Sequence, residues 1–250
     1  MHELIVKGVE KSFGDKHVLK DINMTLNEGE TVSLLGVSGG GKTTLFNIIA
    51  GLDIPDAGTV TIDGESIVGQ PGRVGYILQK DLLLNHKTII DNVSRPLILK
   101  GMKKKEAREV ALPYFEIFGL SGYEKSRPDE LSGGMRQRAA LLRTYLFAGE
   151  VMLLDEPFSS LDTITRSSMH EWYLSVMEKM RIPAILITHD VDEAILLSDR
   201  VHILSRETDD PDAPTTITNV IEIKGRDKKD REYLLTNDFI DYKKTIVDLI

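Results

Sequence analysis

The sequence predicts an α/β fold with antiparallel strands at its N-terminus and a helical subdomain inserted midway. Three observations predict it. Short apolar runs alternate with segments of helical spacing, and one such run, 31–35, passes directly into a glycine-rich turn and then a helix. Between about 81 and 149 the strand signal disappears and only helical spacing remains.

Taken in order, residues 4–6 and 18–26 read as strands on either side of the turn Phe13-Gly14-Asp15-Lys16. After the strand at 31–35, residues 42–50 have helical spacing, and Gly51 suits a left-handed cap. Strands follow at 59–62 and 74–78, separated by Asp63-Gly64 and Pro71-Gly72 turns. Helices are expected over 88–99, 104–118 and 132–147, with Pro113 kinking or breaking the second. Strands return at 151–154, 184–188 and 201–204, alternating with helices at about 165–180 and 190–197. Residues 208–216, rich in Asp, Pro and Thr, read as a solvated loop, and the tail carries little signal. The partition is one domain over 1–250: a core from 1–80 and 150–225, the helical subdomain 81–149, and a tail 226–250.

Composition narrows the function classes. At 41% hydrophobic and 28% charged over 250 residues, the chain buries a core and is neither disordered nor low-complexity. Its net charge of −8 argues against a nucleic-acid partner. With no cysteine, disulfides, thiol catalysis and cysteine-ligated metals are excluded. No apolar run approaches the roughly 18–20 residues of a spanning helix, and Met1-His2-Glu3 does not open a signal peptide. Any work at a membrane is expected to depend on a partner.

Gly36-Val37-Ser38-Gly39-Gly40-Gly41-Lys42-Thr43 fits G-x-x-x-x-G-K-[ST] between a strand and a helix. A polyphosphate needs several backbone N–H groups turned inward, and glycines let the chain curl closely enough to supply them. Lys42 supplies a point charge for the β and γ phosphates, and the Thr43 hydroxyl can ligate Mg²⁺; Thr44 completes the set. The apolar run 151–154 delivers Asp155 to a strand end, where it can hold Mg²⁺. Glu156, one residue on, can act as general base on an attacking water. His2, His17, His86, His170 and His202 form no metal-ligand spacing.

Leu131-Ser132-Gly133-Gly134-Met135-Arg136-Gln137-Arg138 resembles the signature motif of the ATP-binding cassette (ABC) family. As residues, Ser132 and two glycines opening a helix make a second anion-binding helix end. The resemblance spans about 1–205 and implies a phosphate-loop, RecA-like nucleotide-binding core with ATP and Mg²⁺ as its ligands. It implies a head-to-tail homodimer in which Ser132, Gly133 and Gly134 cap the other subunit's ATP. Phe13 resembles the aromatic that stacks on adenine, Gln79 the glutamine that touches Mg²⁺ and the attacking water, and His189 the histidine at the γ-phosphate. Ser159-Ser160-Leu161-Asp162 resembles the loop that crosses the dimer interface; a capped helix start is the other reading of Asp162. Val37 stands where Pro is frequent and Gly40 where Ser or Cys is frequent, and the extra glycine is expected to loosen the loop.

The stretch Asp155-Glu156-Pro157-Phe158-Ser159-Ser160-Leu161-Asp162-Thr163-Ile164-Thr165-Arg166 is similar to nitrate, sulfonate and taurine importer ATPases. That implies an ATPase subunit held peripherally on the cytoplasmic face of the membrane by permease subunits. An extracytoplasmic substrate-binding protein would act indirectly. Exporter, lipoprotein-release and soluble non-transport ATPases of the family share the core motifs and remain the alternatives.

Overall fold

The computed structural model describes residues 3–37, 39–148, 151–208, 210, 212–224 and 232–250. Its first elements are β1 (Leu4–Phe13) and β2 (Lys16–Leu26), paired antiparallel around a two-residue turn in which Gly14 has φ +58°. Such hairpin turns need positive φ, which glycine adopts without steric cost. β1 runs well past the three apolar residues that announce it, because its later part alternates half-buried charged residues with the core.

β3 (Thr31–Leu35), buried throughout, leads into α1 (Lys42–Ile49), and Gly51 has φ +71° just beyond it. β4 (Ala57–Ile62) pairs antiparallel with β1 and carries the two-residue β5 (Glu65–Ser66) at the sheet edge; β6 (Gly75–Ile77) follows.

The segment without strands folds as expected, with two breaks. The helix expected over 88–99 is two: α2 (Ile89–Val93), N-capped by Thr88, and α3 (Arg95–Leu99), with Pro96 in its first turn. Proline lacks an N–H and clashes with the carbonyl four residues back, so a continuous helix through Pro96 is not available. Pro113 divides the next pair, α4 (Lys104–Ala111) and α5 (Tyr114–Ile117), for the same reason. α6 (Gly133–Ala148) follows a 3₁₀ turn over Pro128–Glu130.

β7 (Met152–Asp155), α7 (Thr163–Met180), β8 (Ala184–Ile187), α8 (Val191–Leu197) and β9 (Arg200–Arg206) complete the alternation. The solvated loop expected to reach residue 216 ends earlier. β10 (Thr215–Glu222) pairs antiparallel with β9, and Thr215 is buried. The β-branched run Thr215-Thr216-Ile217-Thr218 favours a strand, and the Asp- and Pro-rich residues before it masked that signal. In the tail, α9 (Asn237–Val247) is N-capped by Thr236 and rests on α8, where Lys243 Nζ stands 2.7 Å from Asp192.

The described strands form one sheet in the order β5-β4-β1-β2-β10-β9-β3-β8-β7-β6. The run β9-β3-β8-β7-β6 is parallel throughout. Parallel strands are covered on both faces, which is why β3, β7 and β8 read as nearly unbroken apolar runs. Side chains alternate across the sheet, so Leu35, Leu154, Leu186 and Ile203 join one core with α6, α7 and α8. Leu34, Leu153, Ile185 and Leu204 join the other, with α1, β1 and β2. Because β3, β8, β7 and β6 run the same way, their C-terminal ends share one edge of the sheet.

Candidate active site

Each residue at that edge arrives by strand register. Leu34 pairs with Ile187 and Asp155 with Ile187, while Ile77 pairs with Leu154. Gly36 therefore leaves β3, His189 leaves β8, Asp155 and Glu156 end β7, and Gln79 leaves β6, all on one side. α/β sheets bind ligands at this carboxyl edge.

The glycine-rich loop is shaped by two requirements. At Gly36 an added Cβ would stand 2.2 Å from the Leu204 carbonyl oxygen of β9, so no side chain fits. Gly41 is the N-cap of α1 with φ +81°, a conformation costly for other residues. Gly40 does not loosen the loop: its N–H donates to the Val37 carbonyl at 3.1 Å and it is buried. That expectation is corrected, since neighbouring groups hold the Gly40 backbone although position 40 itself carries no side chain. Ser38 lies outside the described residues.

Lys42 Nζ donates to the carbonyls of Gly36 (2.8 Å) and Val37 (2.9 Å), bracing the loop it follows. Burial pulls its pKa down, while Glu156 and Asp155 across the edge push it back up. A cleft of about 340 Å³ is lined by Phe13, Lys16, Val18, Gly39, Gly40, Gly41, Lys42, Thr43 and Thr44. The Phe13 ring is half exposed in it, with Lys11 Nζ 5.2 Å from the ring centroid. An exposed aromatic beside a ring of amides suits a base stacked ahead of a polyphosphate.

On the acidic side, Asp155 is pushed up by burial and by the neighbouring Glu156 charge, against the opposing pull of Tyr76 and Lys42. Burial and the Asp155 carboxylate in turn push the Tyr76 phenol up. Two carboxylates in this half-buried corner are short of positive charge. Glu156 adopts φ +46°, rare for a non-glycine residue, with its N–H donating to the Ile187 carbonyl at 2.9 Å. Its Oε1 stands 3.3 Å from His189 Nδ1. His189 is itself set between Thr188, whose Oγ1 accepts from the Asp190 N–H, and Asp190, which N-caps α8. Gln79 Nε2 donates to Ser159 Oγ at 3.3 Å, and Ser159 Oγ donates to the Glu156 carbonyl at 2.9 Å. Gln79, Glu156 and His189 thus form one connected group.

The signature residues stand apart from the cleft. Ser132 caps α6, its Oγ accepting from the Met135 N–H at 3.3 Å. Gly134 is buried, and an added Cβ would lie 3.2 Å from Thr165 of α7. None of Ser132, Gly133 and Gly134 lines the cleft at the phosphate loop; Gly133 lines a separate one with Gln79, Ser160 and Leu161. Asp162 N-caps α7, accepting from the N–H groups of Ile164 and Thr165 and from Thr165 Oγ1 at 2.6 Å. Those hydrogen bonds hold its carboxyl below the usual range. In this chain the Asp162 carboxylate caps its own helix.

Thr215 is a residue the sequence did not single out. It is 2% exposed, and its hydroxyl reaches the Gly40 carbonyl at 2.8 Å and the Val18 carbonyl at 3.0 Å. Among the described residues no cluster of three or more His, Cys, Asp or Glu could cage a metal, and no helix is long and apolar enough to cross a membrane.

Comparison with known proteins shows the family. The family model for ABC transporters matches residues 19–159. The chain is 47% identical to the formylaminopyrimidine import ATP-binding protein ThiZ of Halalkalibacterium halodurans, over 76% of this chain and 74% of that protein. It is 41% identical to the aliphatic sulfonates import ATP-binding protein SsuB of Bacillus cereus, over 88% and 84%. Among solved structures it superposes with a TM-score of 0.70 on the dimeric ATP-binding cassette MJ0796 in a post-hydrolysis state bound to ADP and Pi. That match has 28% identity and covers 89% of this chain and 99% of the other. The chain therefore belongs to the ABC transporter family as an ATP-hydrolysing, ATP-binding subunit.

Proposed function

We propose that this chain powers import of a small solute of the nitrate, sulfonate or pyrimidine-precursor class through ATP-driven closure of a head-to-tail homodimer. Support comes from what the relatives are named for, and from the stretch Asp155–Arg166. The observation that carries the mechanism is the split between the two phosphate-binding ends. The phosphate loop lines one cleft, and Ser132, Gly133 and Gly134 do not line it. A second copy turned head to tail would bring its own Ser132 helix end to that cleft.

Within one subunit the amides of Gly39 and Gly41, together with Lys42, grip the phosphates, with the Gly40 N–H bracing the turn on Val37, while Phe13 stacks on the base. Thr43, Asp155 and Gln79 fit Mg²⁺, which takes one or two carboxylates and leaves its other positions to water and phosphate oxygens. The raised Asp155 beside Glu156 supports that fit, since a cation there offsets their repulsion. Held by these residues, Mg²⁺ would supply positive charge to offset that of the phosphates. Glu156 then takes the proton of the attacking water, with His189 positioned against it and toward the γ-phosphate. The chain acts as one domain, with 81–149 meeting the permease on the cytoplasmic face and a substrate-binding protein acting from the other side. No nucleic acid takes part.

Lys42→Ala tests the grip. Titration with a fluorescent ATP analogue and Mg²⁺ should show a large loss of affinity, and unchanged binding would make residues 36–43 a structural turn. For import, co-purification with a multi-spanning permease and stimulation of ATPase activity by a loaded substrate-binding protein are expected.

A further inference from the structure

We infer that Thr215 is a positioning residue for the phosphate loop, acting from a strand far along the chain and outside the residues that the family model matches. The inference rests on residues 36–43 being the phosphate site.

Thr215 opens β10 and pairs with Leu19 of β2. Its hydroxyl is buried against two carbonyls, Gly40 at 2.8 Å and Val18 at 3.0 Å, so its single proton is shared between them. An ideal Cβ built at Gly41 would stand 3.3 Å from the same oxygen, which shows how closely the loop rests on this side chain. The peptide between Gly40 and Gly41 is trans, since the described chain has no cis bonds. In a trans peptide the C=O and the next N–H point in opposite directions. Holding the Gly40 carbonyl against Thr215 on the core side therefore aims the Gly41 N–H away from the core, toward the cleft. That amide is one of those an anion at the N-terminus of α1 would meet.

The Val18 bond gives the second half of the argument. Val18 lines the same cleft as Phe13 and the loop, on the hairpin that carries the aromatic ring. One hydroxyl thus ties the phosphate-gripping backbone to the base-stacking hairpin. A valine at 215 would keep the shape and leave the buried Gly40 carbonyl without this donor, so the peptide could turn over. Glycines at 39, 40 and 41 offer little resistance to such a turn. This explains how a loop with an extra glycine keeps its amides aligned.

The test compares Thr215→Val with Thr215→Ser in the full chain, reading ATP and ADP affinity by titration with a fluorescent analogue, alongside thermal unfolding. Thr215→Val should lose about three- to tenfold in affinity for both nucleotides, the scale of one lost buried hydrogen bond. Thr215→Ser should bind within about twofold of the parent, because the donor is restored. In combination with Lys42→Ala the loss should be less than the product of the two single effects, since both act through one loop. If Thr215→Val melts earlier but binds ATP and ADP like the parent, the hydroxyl is only a structural tie and the inference is overturned. Full additivity with Lys42→Ala, or failure of Ser to restore binding, overturns it too. If Lys42→Ala itself binds normally, it is the reading of the phosphate site that fails.

Discussion

His189 Nδ1 lies 3.3 Å from Glu156 Oε1, although 33 positions separate them in the chain (189 − 156). Adjacent parallel strands β7 and β8 end side by side, and Asp155 pairs with Ile187, so the residues that follow each strand meet. The contact joins a carboxylate that can accept a proton to an imidazole that can orient it.

Replacing Glu156 with Gln keeps the shape and one acceptor but removes the charge and the basicity. Hydrolysis should fall about 10²–10⁴-fold, the range for loss of a general base. Lys42, Thr43 and Asp155 remain, so Mg-ATP should still bind, and the variant should elute from size exclusion as a dimer with ATP but not with ADP. Near-normal turnover would remove Glu156 from the reaction.

Ser132→Arg should leave ATP binding by the isolated subunit within about twofold, because Ser132 lies outside its own chain's cleft. Nucleotide-dependent dimerisation should be lost, as a bulky cation replaces a small hydroxyl at a close phosphate contact. An equal loss of binding in dilute monomer would place Ser132 in its own chain's site.

Gly36→Ala drives a methyl group into the Leu204 carbonyl of β9. Backbone must shift, at a cost of about 1–3 kcal/mol or more by the usual scale of overpacking. Chemical denaturation should report a lower midpoint together with weaker ATP binding. A midpoint at the parent value would mean that the loop has room the structure does not show.

His202, on β9, is 1% exposed, and neither ring nitrogen has a hydrogen-bond partner among the described residues. Burial, and then Arg200, lower its pKa from 6.5 to about 4, with Glu30 opposing. At pH 7 folded and unfolded states are both neutral at this ring. Below pH 6.5 the unfolded chain takes a proton that the folded one refuses, so stability declines until about pH 4 and then levels. The loss attributable to His202 is about 3 kcal/mol. Urea denaturation from pH 7 to 4 should show a shallower pH slope in His202→Leu than in the parent; equal slopes would assign the loss to other groups.

Much of this molecule was legible in its residues, for reasons tied to local physics. The run Val32-Ser33-Leu34-Leu35 before Gly36, and Leu153-Leu154 before Asp155, are strands buried on both faces, where every residue must be apolar or paired. Pro113 was expected to kink or break a helix, because it removes a hydrogen bond and clashes with the preceding turn, and it stands where α5 starts. The phosphate loop was readable because backbone geometry restricts which residues can stand at Gly36 and Gly41. Pro96 also breaks a helix, and the periodicity that suggested one continuous helix over 88–99 did not take account of it.

The sequence by itself determined the alternation of strands and helices, the phosphate loop, the acidic strand end and the signature helix, because each depends on neighbours within about ten residues. The tertiary structure alone decided which of these meet. Register between parallel strands brought Glu156 to His189, and Gln79 to Ser159. The return of β10 beside β2 put the Thr215 hydroxyl under Gly40, 175 positions away (215 − 40). Such contacts depend on sheet order and strand pairing, which arise from burying two apolar faces at once, and no local pattern in residues 207–216 encodes them.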